Sequence, residues 1–160
     1  MNLTTLMDTP RLYTALAEWG ACLVYIFLLR RKMSGLKLSF FLGGSLIVFV
    51  AYHEFAGTLP IYFWIPCMIG AAFLMCALLH LLCDTTWLDA WFCCAKALVL
   101  AEFAASLHWQ LYVWWTLTYG KLSPAFAVVT MTVLYTGIYV GYYFLERGHF
   151  PTDERLQING

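Results

Sequence analysis

The chain has 160 residues, of which 62% are hydrophobic and only 11% are charged. Soluble domains are about 25% charged, so this composition excludes a water-soluble enzyme and a disordered regulator. Nine Lys or Arg residues balance nine Asp or Glu residues, which leaves no positive field and excludes a nucleic-acid binder. An integral membrane protein remains, with the lipid bilayer as its first partner.

Five apolar runs are long enough to cross a membrane as helices. A spanning helix needs about 20 apolar residues and satisfies its own backbone hydrogen bonds in lipid. The runs predict an all-α polytopic transmembrane bundle over residues 1–147, followed by a cytoplasmic tail or linker at 148–160. The predicted spans are 12–29, 38–55, 61–82, 87–107 and 124–145.

The stretch 83–124 leaves the number of spans open. A helix over 87–117 would be about 46 Å long at 1.5 Å per residue, against a hydrocarbon core of about 30 Å. Either one helix projects beyond the membrane, or the chain breaks near 108–110. We favour a span that ends at Leu107, followed by an aromatic interfacial segment through Tyr119. A count of six spans is the alternative.

The positions of Lys and Arg predict the orientation, because cytoplasmic loops are enriched in positive charge. With five spans, one end of the bundle carries Arg30, Arg31, Lys32, Lys37, Arg147 and Arg155. The other end carries Arg11 and Lys121. We therefore expect the N-terminus outside and the C-terminus in the cytoplasm. The first run follows no basic segment and precedes no cleavage-site pattern, so it is interpreted as a retained anchor rather than a signal peptide.

Ionisable residues in the fourth span are candidates for function, because charge is costly at membrane depth. Lys96 is predicted near the midplane, and Glu102 lies six residues further on. Six residues rotate a helix by about 600°, so the two side chains point to different sides. We expect Glu102 to hold a ligand or couple a signal, with an interhelical hydrogen bond as the alternative. Lys96 is a second candidate, and its ammonium is expected to extend towards Asp89.

The first two spans add three candidates for ligand binding or signal coupling. Glu18 lies about a third of the way into the first span, where a water-filled vestibule would solvate it. His53 and Glu54 lie at the outer end of the second span, where interfacial solvation is the favoured explanation. Asp89, by contrast, follows Thr86 by three residues, a spacing that predicts a structural capping box.

No motif of known catalytic chemistry is present: the sequence has no phosphate-binding glycine loop, no H-E-x-x-H and no nucleophile elbow. Cys76, His80 and Asp84 share one helix face and form a candidate metal stripe. No second cluster completes a set of four ligands, so neither a metal nor another cofactor is expected.

Gly137 and Gly141 form a G-x-x-x-G element in the fifth span. Small residues at this spacing let two helices approach closely. We favour packing within the chain, with a contact between two copies as the alternative.

The segments Pro10–Trp19 (PRLYTALAEW) and Leu98–Tyr112 (LVLAEFAASLHWQLY) resemble the N-terminal multi-span sensor region of bacterial histidine kinases of the GHKL ATPase class. The resemblance implies a receptor in the bacterial plasma membrane that passes a signal to a cytoplasmic kinase domain and a response-regulator pathway. It also implies a homodimer. The family's ATP-binding domain and its phosphorylatable histidine region have no counterpart in this sequence, and no binding residue carries over.

The sequence thus predicts the sensor module of a histidine-kinase-type signalling protein that lacks its own catalytic domain. A small membrane subunit of a solute transporter, working with an energising partner, is the alternative function. A structural membrane subunit without a ligand is the third.

Overall fold

The structure is a computed structural model that describes residues 11–120 and 123–148. Within these ranges the chain folds into α-helices joined by short loops, and it contains no β-strand, only an isolated bridge between Arg31 and Cys83. The helices are α1 (Arg11–Leu28), α2 (Leu36–Gly57), α3 (Trp64–Leu82), α4 (Trp87–Tyr119) and α5 (Pro124–Arg147). A 3₁₀ turn at Ile61–Phe63 leads into α3.

The described part of the chain contains five helices long and apolar enough to cross a membrane. Four of these segments begin and end within two residues of the predicted spans, because charged or turn-forming loops interrupt the apolar runs at those points. Beyond Gly148, the predicted tail lies outside the described residues.

The fourth segment differs from the prediction. α4 is one helix of 33 residues, about 50 Å long at 1.5 Å per residue, so the predicted end at Leu107 is wrong. His108 does not break the helix because it is buried, with its ring centroid 5.2 Å from that of Tyr13 and 5.8 Å from that of Tyr135. The helix ends only at Gly120, whose φ of 96° suits a residue without a side chain.

Helix α1 occupies the centre of the bundle and contacts each of the other four helices. Its small residues Ala15, Ala17 and Ala21 are fully buried, which lets neighbouring helices approach closely. On one side, the Tyr139 hydroxyl of α5 donates a hydrogen bond to the Ala17 carbonyl at 2.8 Å. Near it, the Tyr135 hydroxyl donates to the Tyr13 carbonyl at 3.3 Å.

The α1–α2 and α3–α4 loops are joined at one end of the bundle. The Lys32 amide donates to the Leu82 carbonyl and the Asp84 amide donates to the Arg30 carbonyl, each at 2.8 Å. The Lys32 ammonium also donates to the His80 carbonyl at 2.7 Å. These contacts fix the cationic end of the bundle, and we call them the loop bridge.

The first turn of α4 confirms the predicted capping box. The Thr86 hydroxyl accepts a hydrogen bond from the Asp89 amide at 3.3 Å and donates one to the Asp89 carboxylate at 2.7 Å. Both the amide and the carboxylate of Asp89 therefore take part in capping the start of the helix.

Candidate functional site

A polar cavity of about 520 Å³ lies between α1, α2, α3 and α4. It extends to the Leu59–Pro60 loop, at the end of the bundle where α1 begins and α2 ends. Its polar and ionisable lining residues are Arg11, Thr14, Glu18, Tyr52, His53, Glu102 and Ser106.

A buried contact between a histidine and a carboxyl group forms part of the cavity wall. His53 Nε2 lies 2.8 Å from Glu18 Oε2, and the two side chains are 9% and 4% exposed. The contact joins α1 to α2 across 35 residues of sequence. The expectation that interfacial water solvates His53 is wrong, because α2 packs against α1 and buries the ring. Glu18 does line a cavity, as predicted, but His53 partners its carboxylate.

Glu54 lies outside this site, although it is adjacent to His53 in sequence. It is exposed and does not line the cavity, because successive residues of a helix point about 100° apart. Of the two neighbouring candidates, only His53 belongs to the cavity.

Glu102 reaches the same cavity from α4. It lies within electrostatic range of both Glu18 and His53. Among residues 11–120 and 123–148, no side chain or backbone group makes a hydrogen bond or an ion pair with it. Ser106, one turn further along α4, also lines the cavity. The structure therefore brings Glu18, His53 and Glu102 together from three helices.

Tyr52 lies in the cavity wall formed by α2 and α3. Its hydroxyl donates to the Cys67 carbonyl at 2.7 Å and so ties α2 to α3. Gly70 makes this packing possible, because a Cβ at that position would overlap the Tyr52 hydroxyl. Neither residue stands out in its own span, so this contact could not be predicted from the sequence.

Lys96 lies apart from the cavity and forms an ion pair. Its Nζ is 3.0 Å from Glu146 Oε1, so the expected extension towards Asp89 is wrong. The Tyr142 hydroxyl donates to the same Glu146 oxygen at 2.8 Å, and it lies 2.9 Å from the Tyr25 hydroxyl. Lys96 and Glu102 do point to different sides of α4, as their spacing predicted.

An apolar groove of about 710 Å³ runs between α4 and α5 beside this second pair. Gly137 and Gly141 line it, and a Cβ added to either glycine would meet no atom within 4 Å. The close helix approach expected at these glycines within the chain does not occur.

No group of three or more His, Cys, Asp or Glu side chains within 11–120 and 123–148 is placed to hold a metal ion. In the candidate stripe, Cys76 is buried among apolar residues. The His80 ring stacks on Trp87 with centroids 4.1 Å apart. The stripe therefore serves packing in this part of the molecule.

Comparison of the chain with protein-family models, with curated proteins and with solved structures gives no match.

Proposed function

We propose that this chain is the membrane sensor module of a histidine-kinase-type signalling protein, and that the polar cavity binds its signal. The observation that carries the proposal is the set of ionisable side chains in a cavity between membrane-spanning helices. Such side chains are costly in lipid and mark binding sites or ion paths when they line a cavity. A volume of about 520 Å³ is within the usual range for small-molecule sites.

A route from the cavity to the last helix supports a signalling role. Glu18 lies on α1, and the next residue towards the N-terminus, Ala17, accepts the hydrogen bond from Tyr139 of α5. A ligand that binds one arrangement of α1 better than another shifts the population of that arrangement. Since α5 is hydrogen-bonded to α1 at two carbonyls, the shift reaches α5.

The orientation completes the proposal. The loop bridge lies at the end with the most Lys and Arg residues, so we place it in the cytoplasm, with the cavity opening outside. Helix α5 then ends at Arg147 on the cytoplasmic side, where a kinase domain would receive the signal. The proposal includes a homodimer, with the open face around Gly137 and Gly141 as its contact.

The experiment is to isolate the native protein from source-cell membranes with an antibody against residues 1–11 and to incubate it with labelled ATP. We expect phosphohistidine either on a product larger than the 18.3 kDa of this chain or on a tightly bound partner. An isolated product of 18.3 kDa without any phosphorylated partner would contradict the sensor role.

The alternative function, a substrate-binding subunit of a transporter, also has one observation in its favour. Glu18, His53 and Glu102 gather ionisable groups at membrane depth from three helices, as proton relays in transporters do. Proteoliposomes that contain the chain and its co-purified partner would then accumulate a labelled solute. Binding without accumulation favours the sensor.

A further inference from the structure

Resting on the proposed binding role of the cavity, we infer that its ligand is a small organic cation whose primary ammonium group sits on the Glu102 carboxylate.

Of the two carboxyl groups that line the cavity in the described part of the chain, Glu18 has a partner and Glu102 does not. His53 and Glu18 satisfy each other at 2.8 Å. Glu102 faces the same space and has no hydrogen-bonding or ionic partner among the described residues. A carboxylate between spanning helices is costly unless water or a cation compensates it. Glu102 stands at an exposed position of α4, and of the two carboxyl groups among the described lining residues it is the one without a partner.

The wall around this carboxylate suits an ammonium group. Ser106 and Thr14 line the same cavity, and the hydroxyl oxygens of such residues accept hydrogen bonds. Tyr52 and Trp64 also line it, and aromatic faces attract cations. The ammonium donates three hydrogen bonds, which matches a wall that offers carboxylate and hydroxyl acceptors.

Arg11 is the remaining charged residue of the lining, and it lies at the mouth. It is seven residues before Glu18 on α1, a rise of about 10 Å, and its side chain packs beside Gly57 at the end of α2. Arg11 would attract an anion to the mouth, whereas Glu102 would attract a cation. The choice between an anionic and a cationic ligand is therefore the decisive comparison.

The experiment uses the full chain in nanodiscs of zwitterionic lipid, so that the bilayer surface has no net charge. Primary n-alkylammonium ions from methyl to hexyl are titrated, alongside the alcohols and the carboxylates of equal chain length. Isothermal titration calorimetry gives the affinity, and the thermal unfolding midpoint reports stabilisation by the ligand. We expect saturable binding by at least one ammonium ion, tighter by tenfold or more than binding of its alcohol and its carboxylate.

Three variants assign the binding to Glu102. Glu102→Gln is expected to weaken ammonium binding by about tenfold or more, because it removes a charge-assisted hydrogen bond. Glu102→Asp keeps the charge and is expected to retain most of the affinity, which separates loss of charge from loss of fold. Glu54→Gln removes a carboxylate outside the cavity and is expected to change the affinity by less than twofold.

The outcomes separate this inference from the proposed function. If Glu102→Gln binds the ammonium ion with unchanged affinity, the assignment of the ligand to Glu102 is wrong. If the carboxylates bind more tightly than the ammonium ions and Arg11→Gln abolishes that binding, the ligand is not a cation. The cavity would still be a binding site. Saturable binding by none of the three series overturns the cationic ligand and contradicts a binding role for the cavity.

Discussion

Two contacts between a basic and an acidic side chain join helices in the described part of the chain, yet their surroundings differ. Glu18 and His53 are both nearly fully buried, beside a polar cavity. Lys96 and Glu146 lie next to an apolar groove, with side chains 35% and 13% exposed. The first pair is buried, whereas the Lys96 side chain keeps part of its exposure.

This difference indicates two uses of charge in one membrane protein. A buried pair pays a large desolvation cost that its own attraction barely offsets, so stability alone does not explain why it lies deep in the bundle. Its place in the cavity wall does explain it. The more exposed pair is an ordinary contact between two helices near the bundle end, where solvent and lipid headgroups weaken the attraction.

The largest expected loss of stability comes from removing one partner of the buried pair. His53→Ala leaves the Glu18 carboxylate buried without its partner, and we expect a loss of about 3 kcal/mol or more in the free energy of unfolding. Lys96→Ala is expected to cost about 1 kcal/mol or less, because its pair is partly exposed. Unfolding in mixed micelles measures both losses.

The control for His53→Ala is Glu54→Ala, one residue along α2 on an exposed position. It is expected to change the free energy of unfolding by no more than about 0.5 kcal/mol. Equal losses for His53→Ala and Lys96→Ala would show that the two pairs do not differ as described.

Glycine substitutions compare the packed side of the bundle with the open groove. A Cβ at Gly20 would lie 2.5 Å from the Tyr139 ring, so Gly20→Ala is expected to cost about 1–3 kcal/mol through overpacking. Gly137→Ala adds its methyl group to open space and is expected to be neutral or stabilising by up to about 1 kcal/mol, since Ala favours a helix. The same unfolding assay ranks the two variants.

A loss of stability in Gly137→Ala would indicate that something covers the groove in the membrane. Cross-linking before and after the substitution would then show whether a second copy packs there, as the proposed homodimer requires.

The hydrogen bond between α5 and α1 gives a smaller effect on stability. Tyr139→Phe removes the donor to the Ala17 carbonyl, and we expect a loss of about 0.5–1.5 kcal/mol, the range for hydrogen bonds between membrane helices. Tyr143→Phe is the control, because its hydroxyl makes no hydrogen bond with any residue in the described ranges. If Tyr139 transmits the signal, only Tyr139→Phe changes the response of the native complex to its ligand.

Thiol labelling requires no substitution. It compares the reactivity of a cysteine in the cavity wall with that of a buried cysteine in a loop. Burial raises the pKa of Cys83, in the α3–α4 loop, to about 12, so its thiol stays protonated at neutral pH and reacts slowly. Cys67 lies in the cavity wall and is only half-buried. A maleimide reagent is expected to label Cys67 at least about 100-fold faster than Cys83, as mass spectrometry of the peptides would show.

Two results would change the interpretation of that experiment. Labelling of Cys83 at the rate of the unfolded chain would show that the loop bridge opens freely. Labelling of Cys67 that slows when an alkylammonium ion is bound would place the ion in the cavity.

Most of the helical architecture follows from the sequence, because a long apolar run bounded by charges has few other stable conformations in lipid. The exception is α4. His108 and Gln110 reduce the apolar character of its second half, and sequence alone cannot show that Tyr13 and Tyr135 cover the histidine ring. Burial by residues far along the chain decided the length of this helix.

The candidate site was predictable only in part, for a similar reason. Glu18, His53 and Glu102 stand out singly as ionisable residues in apolar runs. Their common cavity depends on how α1, α2 and α4 pack, which spacing within one helix does not reveal. Lys96 shows the same limit: its partner Glu146 is 50 residues away, whereas the spacing rule pointed to Asp89 on its own helix.

We expect the loop bridge to act as a pivot, because it links two loops at one end of the bundle. Two of its three links are backbone hydrogen bonds, so a substitution of the Lys32 side chain removes only the third. Helices held at one end move least there and most at the other end, where the cavity opens. A helix of 18 residues such as α1 is about 27 Å long, so a tilt of about 5° about the pivot displaces its far end by about 2 Å. A small rotation is thus enough to widen or close the mouth, while the end of α1 at the loop bridge stays almost still.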